Sequence, residues 1–299
     1  LNYALVGRAS EIGEGRAKYS LICAPDGGII DDLIVYRLAE FDFLVVANAG
    51  NRDNVAAALR ERVSGFDVEL RDESDHFGLL AIQGPRAVEI LQILTSTDLS
   101  TLKYYSIDAG RLGEIDVFFA RTGYTGEDGF EILVRAEHSA EIWNSLLQAG
   151  ESKGLVPAGL ACRDTLRLEA GMPLYGHELS RETNPFQAGF GRVVRLDREE
   201  DFVGRAALEA LAGEAQSRKL VGLQGEGKRA ARAEYQIFAG DAAIGEVTSG
   251  ALSPTLGYPV AMAYVATEHA EVGSVVSVDI RGTMTDFTVV TLPFYKRNK

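Results

Sequence analysis

Two adjacent carboxylates, Asp31 and Asp32, lie within the apolar segment IIDDLIVYRL. Neighbouring side chains of a strand point to opposite faces, so one of the two is expected to face the interior or a cleft. A carboxylate among isoleucine, leucine and valine needs a partner or a chemical task, because burying an unpaired charge is costly. The pair indicates either an acid that stabilises positive charge in a reaction or a carboxylate that caps a turn, and the segment alone favours neither.

Three other segments combine glycine with polar and charged residues: TGYTGEDGFE at 122–131, CRDTLRLEAG at 162–171 and TSGALSPTLG at 248–257. The first predicts a glycine-rich hairpin with an acidic tip. The second predicts a helix whose arginines and acids form charge pairs along one face, and the third predicts an ordered loop. Spacing alone favours these structural explanations, so no single segment assigns a function.

The surrounding sequence alternates between strand and helix patterns. Residues 18–48 predict a β-meander whose first turn is PDGG. Residues 51–64 predict a helix with apolar residues on one face and Asn48 or Asn51 as its cap. Further strands are predicted at FDVELRD, FGLLAIQG, LGEIDVFFART and FEILVRA, and further helices at RAVEILQIL, AEHSAEIWNSLLQAG and AGLACRDTLRLEAG.

From Lys219 onward, the pattern changes to short strands at regular spacing, which predicts a small β-barrel or sandwich. Before that point, strands and helices alternate with antiparallel hairpins between them. This order predicts an α+β fold with ferredoxin-like units, not a doubly wound sheet. The polar stretch LAGEAQSRK marks the expected domain boundary, which divides the chain into residues 1–210 and a C-terminal β-barrel domain of residues 211–299.

The composition disfavours several classes of protein. The formal net charge is −13, whereas non-specific nucleic-acid binding and anionic membrane surfaces both require basic residues. No apolar run approaches the ~20 residues that a membrane-spanning helix needs. Two distant cysteines, Cys23 and Cys162, indicate neither a disulfide framework nor a metal site, and they favour a reducing compartment.

Taken together, the four segments resemble the signature stretches of the T-proteins of the glycine cleavage system. GGIIDDLIVYRL, RTGYTGEDGFE, CRDTLRLEAGMPLYG and GEVTSGALSPTLG occur in the order of that family, and the similarity runs from about Gly7 to the end of the chain. The resemblance implies an aminomethyltransferase. Such an enzyme passes the one-carbon unit of the S-aminomethyl-dihydrolipoyl arm of H-protein to tetrahydrofolate, giving methylenetetrahydrofolate, ammonia and dihydrolipoyl-H-protein.

The resemblance also implies the folate-binding residues. Glu131 matches a carboxylate that accepts hydrogen bonds from the amino group and the ring N–H of the pterin. Arg163 matches the arginine that serves the neighbouring pterin carbonyl and Glu131 itself. Tyr124, Tyr105 and Tyr19 fall at positions where T-proteins line the folate cleft with aromatic rings. The alternative for each tyrosine is ordinary packing.

Asp32 matches the family's catalytic acid, whereas strand periodicity alone does not choose between it and Asp31. In the implied reaction, a secondary amine of the folate attacks a carbon that becomes iminium-like as the thiolate leaves. A carboxylate beside that carbon stabilises the positive charge and assists proton transfer. Tetrahydrofolate is expected as a co-substrate, and no metal is expected.

Two alternatives use the same scaffold. One is a folate-dependent demethylase that acts on a small methylated donor, and the other is a non-catalytic folate-binding protein. The four segments together favour the aminomethyltransferase. The sequence also lacks the Lys-Gly-Cys-type motif of the non-catalytic branch.

The resemblance implies lipoylated H-protein as the direct partner, with P-protein and L-protein of the same system. Lys219, Lys228, Arg229 and Arg232 are candidates for a basic docking patch. The expected location is the bacterial cytoplasm, or the mitochondrial matrix for a eukaryotic chain. The chain opens at Leu1, within sequence that is expected to be structured, and it lacks the N-terminal segment of T-proteins with its Ser-His-Met motif.

Overall fold

A computed structural model describes residues 1–297 of the chain. The N-terminal part combines a three-stranded meander, a four-stranded sheet and helices, and the C-terminal part is a closed barrel of six strands. The predicted α+β fold with a C-terminal β-barrel is therefore confirmed. The domain boundary at residue 211 stays a prediction. No helix within residues 1–297 is long and apolar enough to cross a bilayer.

The first sheet is the predicted meander, with antiparallel strands in the order β1 (Arg16–Cys23), β2 (Ile29–Ala39) and β3 (Asp42–Ala47). Gly27 closes the turn between β1 and β2 at a φ of 86°, a backbone conformation that favours glycine. The register then shifts, because Ile22 pairs with Asp31 while Cys23 pairs with Ile29. A β-bulge therefore lies beside the two aspartates, a place where bulges commonly re-aim side chains.

The second sheet is antiparallel in the order β4-β7-β6-β5. Its strands are β4 (Phe77–Gln83), β5 (Ile107–Leu112), β6 (Ile115–Ala120) and β7 (Gly129–Arg135). Two helices, α2 (Ala87–Leu91) and α3 (Ser139–Gly150), cover one face of it through an apolar core. The other face packs against the first sheet, where Tyr36, Ile34 and Leu133 meet. The half-buried group of residues described below, which is called the cleft, lies where these two sheets meet.

Three further helices complete the fold: α1 (Arg52–Arg62), α4 (Leu160–Glu169) and α5 (Arg205–Gly213). Helix α1 packs Val55 and Leu59 beneath the first sheet. The helix α4 ends where predicted, because Gly171 adopts a φ of 64°. Helix α5 was not predicted, since its last three residues were assigned to the polar stretch that marks the domain boundary.

One local prediction is wrong, and a second holds only in position. FDVELRD forms no strand, because its apolar residues Phe66 and Val68 are more than half exposed and Glu69 pairs with Arg71 in solvent. Asn51, one of the two predicted caps, does occupy the N-cap position of α1, but the side chains of Asn48 and Asn51 make no capping hydrogen bond. The amide of Asn51 instead donates to the carbonyl oxygen of Ile30 at 2.5 Å, and the amide of Asn48 serves the site described below.

The barrel closes in the order β10-β11-β8-β13-β12-β9. Its strands are β8 (Arg218–Gly225), β9 (Gln236–Ala239), β10 (Ala242–Leu252), β11 (Pro259–Ala266), β12 (Val275–Asp279) and β13 (Met284–Val290). Alternate side chains point inward and fill the interior, with Leu223, Val247 and Phe287 among those that are fully buried. The barrel is therefore a packed support and not a ligand cavity.

Candidate active site

The strand β2 places its two carboxylates in different environments. Asp31 has no exposed surface, whereas Asp32 is half-buried. Asn48, the first residue after β3, donates from Nδ2 to Oδ1 of Asp31 at 2.9 Å and to Oδ1 of Asp32 at 2.8 Å. Its backbone N–H donates to Oδ2 of Asp31 at 3.1 Å. The inward carboxylate is thus the one held by structure, and the outward one lies at the cleft.

The hydroxyl of Tyr19, on β1, donates to Oδ2 of Asp32 at 3.1 Å. Tyr19 and Asp32 lie on the same face of the meander, since their strand partners are Ile34 and Leu21. The ring of Tyr19 rests against that of Phe190, with centroids 5.4 Å apart. Asp32 is therefore oriented from both neighbouring strands, by a phenol on one side and an amide on the other.

The electrostatic environment of Asp32 favours proton uptake. Burial raises the pKa of Asp32 to about 6, and the charge of Asp31 adds to this effect, while hydrogen bonds from Asn48 and Tyr19 oppose it. Burial also raises the pKa of Asp31. No ion pair within residues 1–297 includes either aspartate. A carboxyl group with a pKa near neutrality is suited to general acid–base work.

A second carboxylate, Glu131, approaches from the other sheet. It lies on β7 opposite Ala81 and Ala120, on the face that is turned toward the first sheet. The hydroxyl of Thr122 donates to Oε2 of Glu131 at 2.5 Å, and the hydroxyl of Tyr36 lies 2.9 Å from that of Thr122. Because the proton of Thr122 is given to Glu131, Tyr36 is the donor to Thr122. A hydrogen-bonded chain therefore runs from β2 to Glu131.

Burial raises the pKa of Glu131, against the hydrogen bond of Thr122 and the charge of Arg163. The guanidinium of Arg163 stacks on the ring of Tyr124, with Cζ 4.5 Å from the ring centroid. Arg163 itself is exposed and does not form an ion pair with Glu131 within residues 1–297. The predicted contact between Arg163 and Glu131 is therefore a charge interaction across space, and the donor groups of Arg163 remain open to a ligand.

Two further tyrosines, Tyr124 and Tyr105, lie near Asp32. The Tyr124 hydroxyl donates to the carbonyl oxygen of Pro173, which fixes its ring against the loop after α4. Tyr105 adopts a φ of 59°, a conformation that is rare for residues other than glycine. Its carbonyl accepts from the backbone N–H of Ala17 at 2.9 Å, and its N–H donates to the backbone carbonyl oxygen of Arg121 at 3.0 Å. The fold thus holds a strained residue at this point of the cleft.

Tyr105 also lies near both carboxylates. Burial raises the pKa of its hydroxyl, and the charges of Tyr104, Glu131 and Asp32 add to that effect. The six residues predicted for the site therefore come from three strands of the two sheets, from two loops and from α4.

Sequence reasoning missed Thr122 and Tyr36, and it considered Asn48 only as a helix cap. The available signal for Asn48 was its position. It follows the strand that pairs with β2, and Leu33 lies opposite Ala47. A polar residue at the next position is within reach of the aspartates.

An α+β part with a two-carboxylate cleft, followed by a closed barrel, is the architecture of a known class of proteins. Residues 1–198 match the GCVT N-terminal domain, and residues 218–296 match the glycine cleavage T-protein C-terminal barrel domain. The chain belongs to the glycine cleavage T-protein family. The family predicted from the four sequence segments is thereby confirmed.

Several relatives share most of their length with the chain. It is 57% identical to an aminomethyltransferase of Streptomyces coelicolor over 303 residues, which covers 100% of the chain and 82% of that relative. The chain is 43% identical to an aminomethyltransferase of Bacillus subtilis, and the match covers 99% of the chain and 82% of that relative. A crystal structure of the glycine cleavage system aminomethyltransferase T from Bartonella henselae matches with a TM-score of 0.91 at 35% identity, covering 99% and 80%. The chain is accordingly an enzyme, an aminomethyltransferase, as predicted.

Proposed function

We propose that the chain transfers the one-carbon unit from the S-aminomethyl-dihydrolipoyl arm of H-protein to tetrahydrofolate in the cleft between its two sheets. The observation that carries this proposal is the pairing of Asp32 and Glu131. Each acid reaches the cleft from a different sheet, each has a raised pKa, and neither has a partner in an ion pair within residues 1–297. Two such acids allow one to bind the acceptor while the other serves the reaction.

Glu131 is proposed to bind the pterin edge of tetrahydrofolate. That edge presents an amino group and a ring N–H side by side, and a carboxylate accepts both in a bidentate, charge-assisted arrangement. Oε2 of Glu131 accepts a hydrogen bond from the hydroxyl of Thr122. Arg163 then serves the neighbouring pterin carbonyl, since its guanidinium is exposed beside the ring of Tyr124.

Asp32 is proposed as the catalytic residue. As the bond between carbon and sulfur breaks, positive charge develops on the one-carbon unit, and a carboxylate beside it lowers the barrier. The same carboxylate can accept the proton of the attacking amine, because its pKa of about 6 is close to the working pH. Tyr19 and Asn48 keep both oxygens of Asp32 oriented for this role.

Tyr105, Tyr124 and Tyr19 are proposed to flank the flat pterin and to exclude water from the transfer step. The rings of Tyr105 and Tyr124 are each fixed, by the ring of Tyr104 at 4.9 Å and by the carbonyl of Pro173 respectively. Holding acceptor and donor face to face supplies much of the rate in reactions of this kind. Rigid aromatic walls serve that purpose.

The proposed partner in the reaction is lipoylated H-protein, with P-protein and L-protein in the same system. The patch proposed to bind H-protein lies on this chain, which is otherwise acidic. It consists of four basic residues: Lys219, Lys228, Arg229 and Arg232. The bacterial sources of the relatives named above favour the bacterial cytoplasm as the location. That the reaction needs no metal stays a prediction. Neither the demethylase nor the non-catalytic alternative gains an observation in its favour.

The test is a calorimetric titration of the chain and of Glu131→Ala with tetrahydrofolate. We expect micromolar binding by the unaltered chain and a loss of at least tenfold in Glu131→Ala, because two charge-assisted hydrogen bonds are removed. Glu114→Ala is the matched control, since Glu114 is almost fully exposed in a hairpin turn. Equal affinity of all three proteins would refute the role of Glu131.

A further inference from the structure

Asp31 is a charged group for which the proposed reaction has no direct use. It has no exposed surface, so it touches neither substrate. It precedes Asp32 in the strand, and its two oxygens accept from the backbone N–H and the side-chain amide of Asn48. A buried carboxylate that lacks a cation is costly to keep, and an apolar residue would fit the surrounding core at lower cost.

The geometry gives Asp31 control over Asn48. Asp31 accepts from both donors of Asn48 and, together with the backbone carbonyl oxygen of Asp32 at 3.1 Å, turns the NH₂ end of that amide toward the aspartates. The same NH₂ group donates to Oδ1 of Asp32 at 2.8 Å. Without Asp31, the amide can rotate and present its oxygen to Asp32, which would repel the carboxylate.

Asp31 is also the nearest full charge to Asp32. The groups that face Asp32 from other elements are phenols: Tyr19 on β1, Tyr105 before β5 and Tyr124 in the hairpin before β7. Burial raises the pKa of the Tyr175 hydroxyl, and the charge of Asp31 also acts on that hydroxyl and adds to the effect, whereas the charge of Arg181 lowers the pKa of Tyr175. The negative charge of Asp31 is therefore opposed at close range only by hydrogen bonds.

We propose that Asp31 is a positioning residue for the transfer reaction, which orients Asp32 through Asn48 and, through its own charge, keeps Asp32 a strong proton acceptor. This inference rests on the proposed role of Asp32. It assigns distinct tasks to two neighbouring acids that strand periodicity alone does not tell apart.

The test is the pH dependence of kcat/KM for transfer from lipoylated H-protein, in the unaltered chain and in two variants. In the unaltered chain, the acid limb, that is, the pH range in which kcat/KM rises with pH, should lie near pH 6, where Asp32 ionises. In Asp31→Asn, which keeps an Oδ1 acceptor for Asn48, the limb should move to lower pH by about one unit and the plateau should fall by roughly three- to tenfold, because a like charge is lost and the base is weaker. In Asn48→Asp, a third carboxylate should move the limb to higher pH.

Opposite displacements by these two variants are a result that general structural damage does not produce. Asp42→Asn is the matched control, since Asp42 is exposed at the start of β3 and should leave the limb in place. Thermal unfolding at each pH identifies a variant that fails to fold, and the other variant then decides the question alone.

A limb that stays near pH 6 in a folded Asp31→Asn or Asn48→Asp would overturn the inference, whatever happens to the plateau. Asp32→Asn, assayed in parallel, separates this failure from a failure of the proposed function. Full activity of Asp32→Asn overturns the role of Asp32 and this inference with it. An inactive Asp32→Asn beside an unaltered pH profile of Asp31→Asn overturns the inference alone.

Discussion

The cleft and the junction between the two parts of the chain both bury acids, but they treat them in opposite ways. At the junction, Arg167 and Glu178 are both fully buried and form an ion pair of 2.8 Å. The same Glu178 accepts from the backbone N–H of Leu174 at 2.9 Å and from the hydroxyl of Thr248, on β10, at 2.6 Å. Every oxygen of this acid is therefore occupied by donors of the protein.

A second acid of the junction follows the same rule. Glu169, at the end of α4, accepts from the hydroxyls of Ser253 and Thr255 and from the backbone N–H of Thr255. Asp32 and Glu131, like Glu169, form no ion pair within residues 1–297, but burial raises the pKa of both cleft acids. The comparison teaches that the ion pair of Glu178 and the hydrogen bonds of Glu169 fix α4 against the barrel, while the cleft acids have no cationic partner and can take up a proton.

The two regions are connected through α4. Arg163 faces the cleft one turn before Arg167, which enters the junction and also contacts Ser249 on β10 at 2.7 Å. The barrel thereby fixes the helix that presents Arg163. A packed barrel with no cavity of its own still contributes to the site in this way.

The largest effect on stability is expected at the junction. Glu178→Ala leaves the guanidinium of Arg167 buried without its partner, and such changes cost about 3–5 kcal/mol. The free energy of unfolding by urea measures this. Glu271→Ala, at an exposed position of the barrel, is the control. A loss below about 1 kcal/mol in Glu178→Ala would mean that the junction acids are not what holds the helix.

In the cleft, removal of an acid should increase the free energy of unfolding at high pH and not decrease it. The pKa of Asp32 is raised from 3.8 to about 6, so its contribution to stability is fully present below pH 4 and is lost as the pH rises through 6. Asp32→Asn should therefore be more stable than the unaltered chain at pH 8, by up to about 3 kcal/mol. Near pH 4 the two should unfold alike. Urea unfolding at both pH values measures the difference, and a less stable Asp32→Asn at pH 8 would contradict it.

The smallest effect is expected at Arg163, the exposed cation beside the cleft. Arg163→Gln should weaken tetrahydrofolate binding by about three- to tenfold, because one hydrogen bond to a neutral carbonyl is weakened and the rest of the site is intact. Calorimetry measures this, with Arg229→Gln in an exposed barrel loop as the control. A loss as large as that of Glu131→Ala would make Arg163, and not Glu131, the main folate-binding residue.

Much of this arrangement was predictable because it depends on local pattern. Alternating apolar residues and glycine-rich turns indicated the meander, the hairpins and the barrel strands, and four ordered segments indicated the family. The same information did not predict that FDVELRD lies in solvent, because pairing of its charges with one another and with Arg52 outweighs its strand propensity.

The role of Asn48 and the chain from Tyr36 through Thr122 to Glu131 were equally out of reach. Each depends on contacts between residues that are distant in sequence, across paired strands or between the two sheets. The register of β2 with β3 and the packing of the sheets create these contacts. The residue type at a single position predicts neither the strand register nor the packing of the two sheets.

The most direct test of the central claim is a single-turnover assay of transfer from lipoylated H-protein at saturating tetrahydrofolate, with Asp32→Asn, whose tetrahydrofolate affinity is measured in parallel. We expect this variant to bind tetrahydrofolate like the unaltered chain but to transfer the one-carbon unit about 10²- to 10⁴-fold more slowly, because it lacks only the charge that serves the reaction. A transfer rate near that of the unaltered chain, or a loss confined to tetrahydrofolate affinity, would contradict the assignment of the reaction to Asp32.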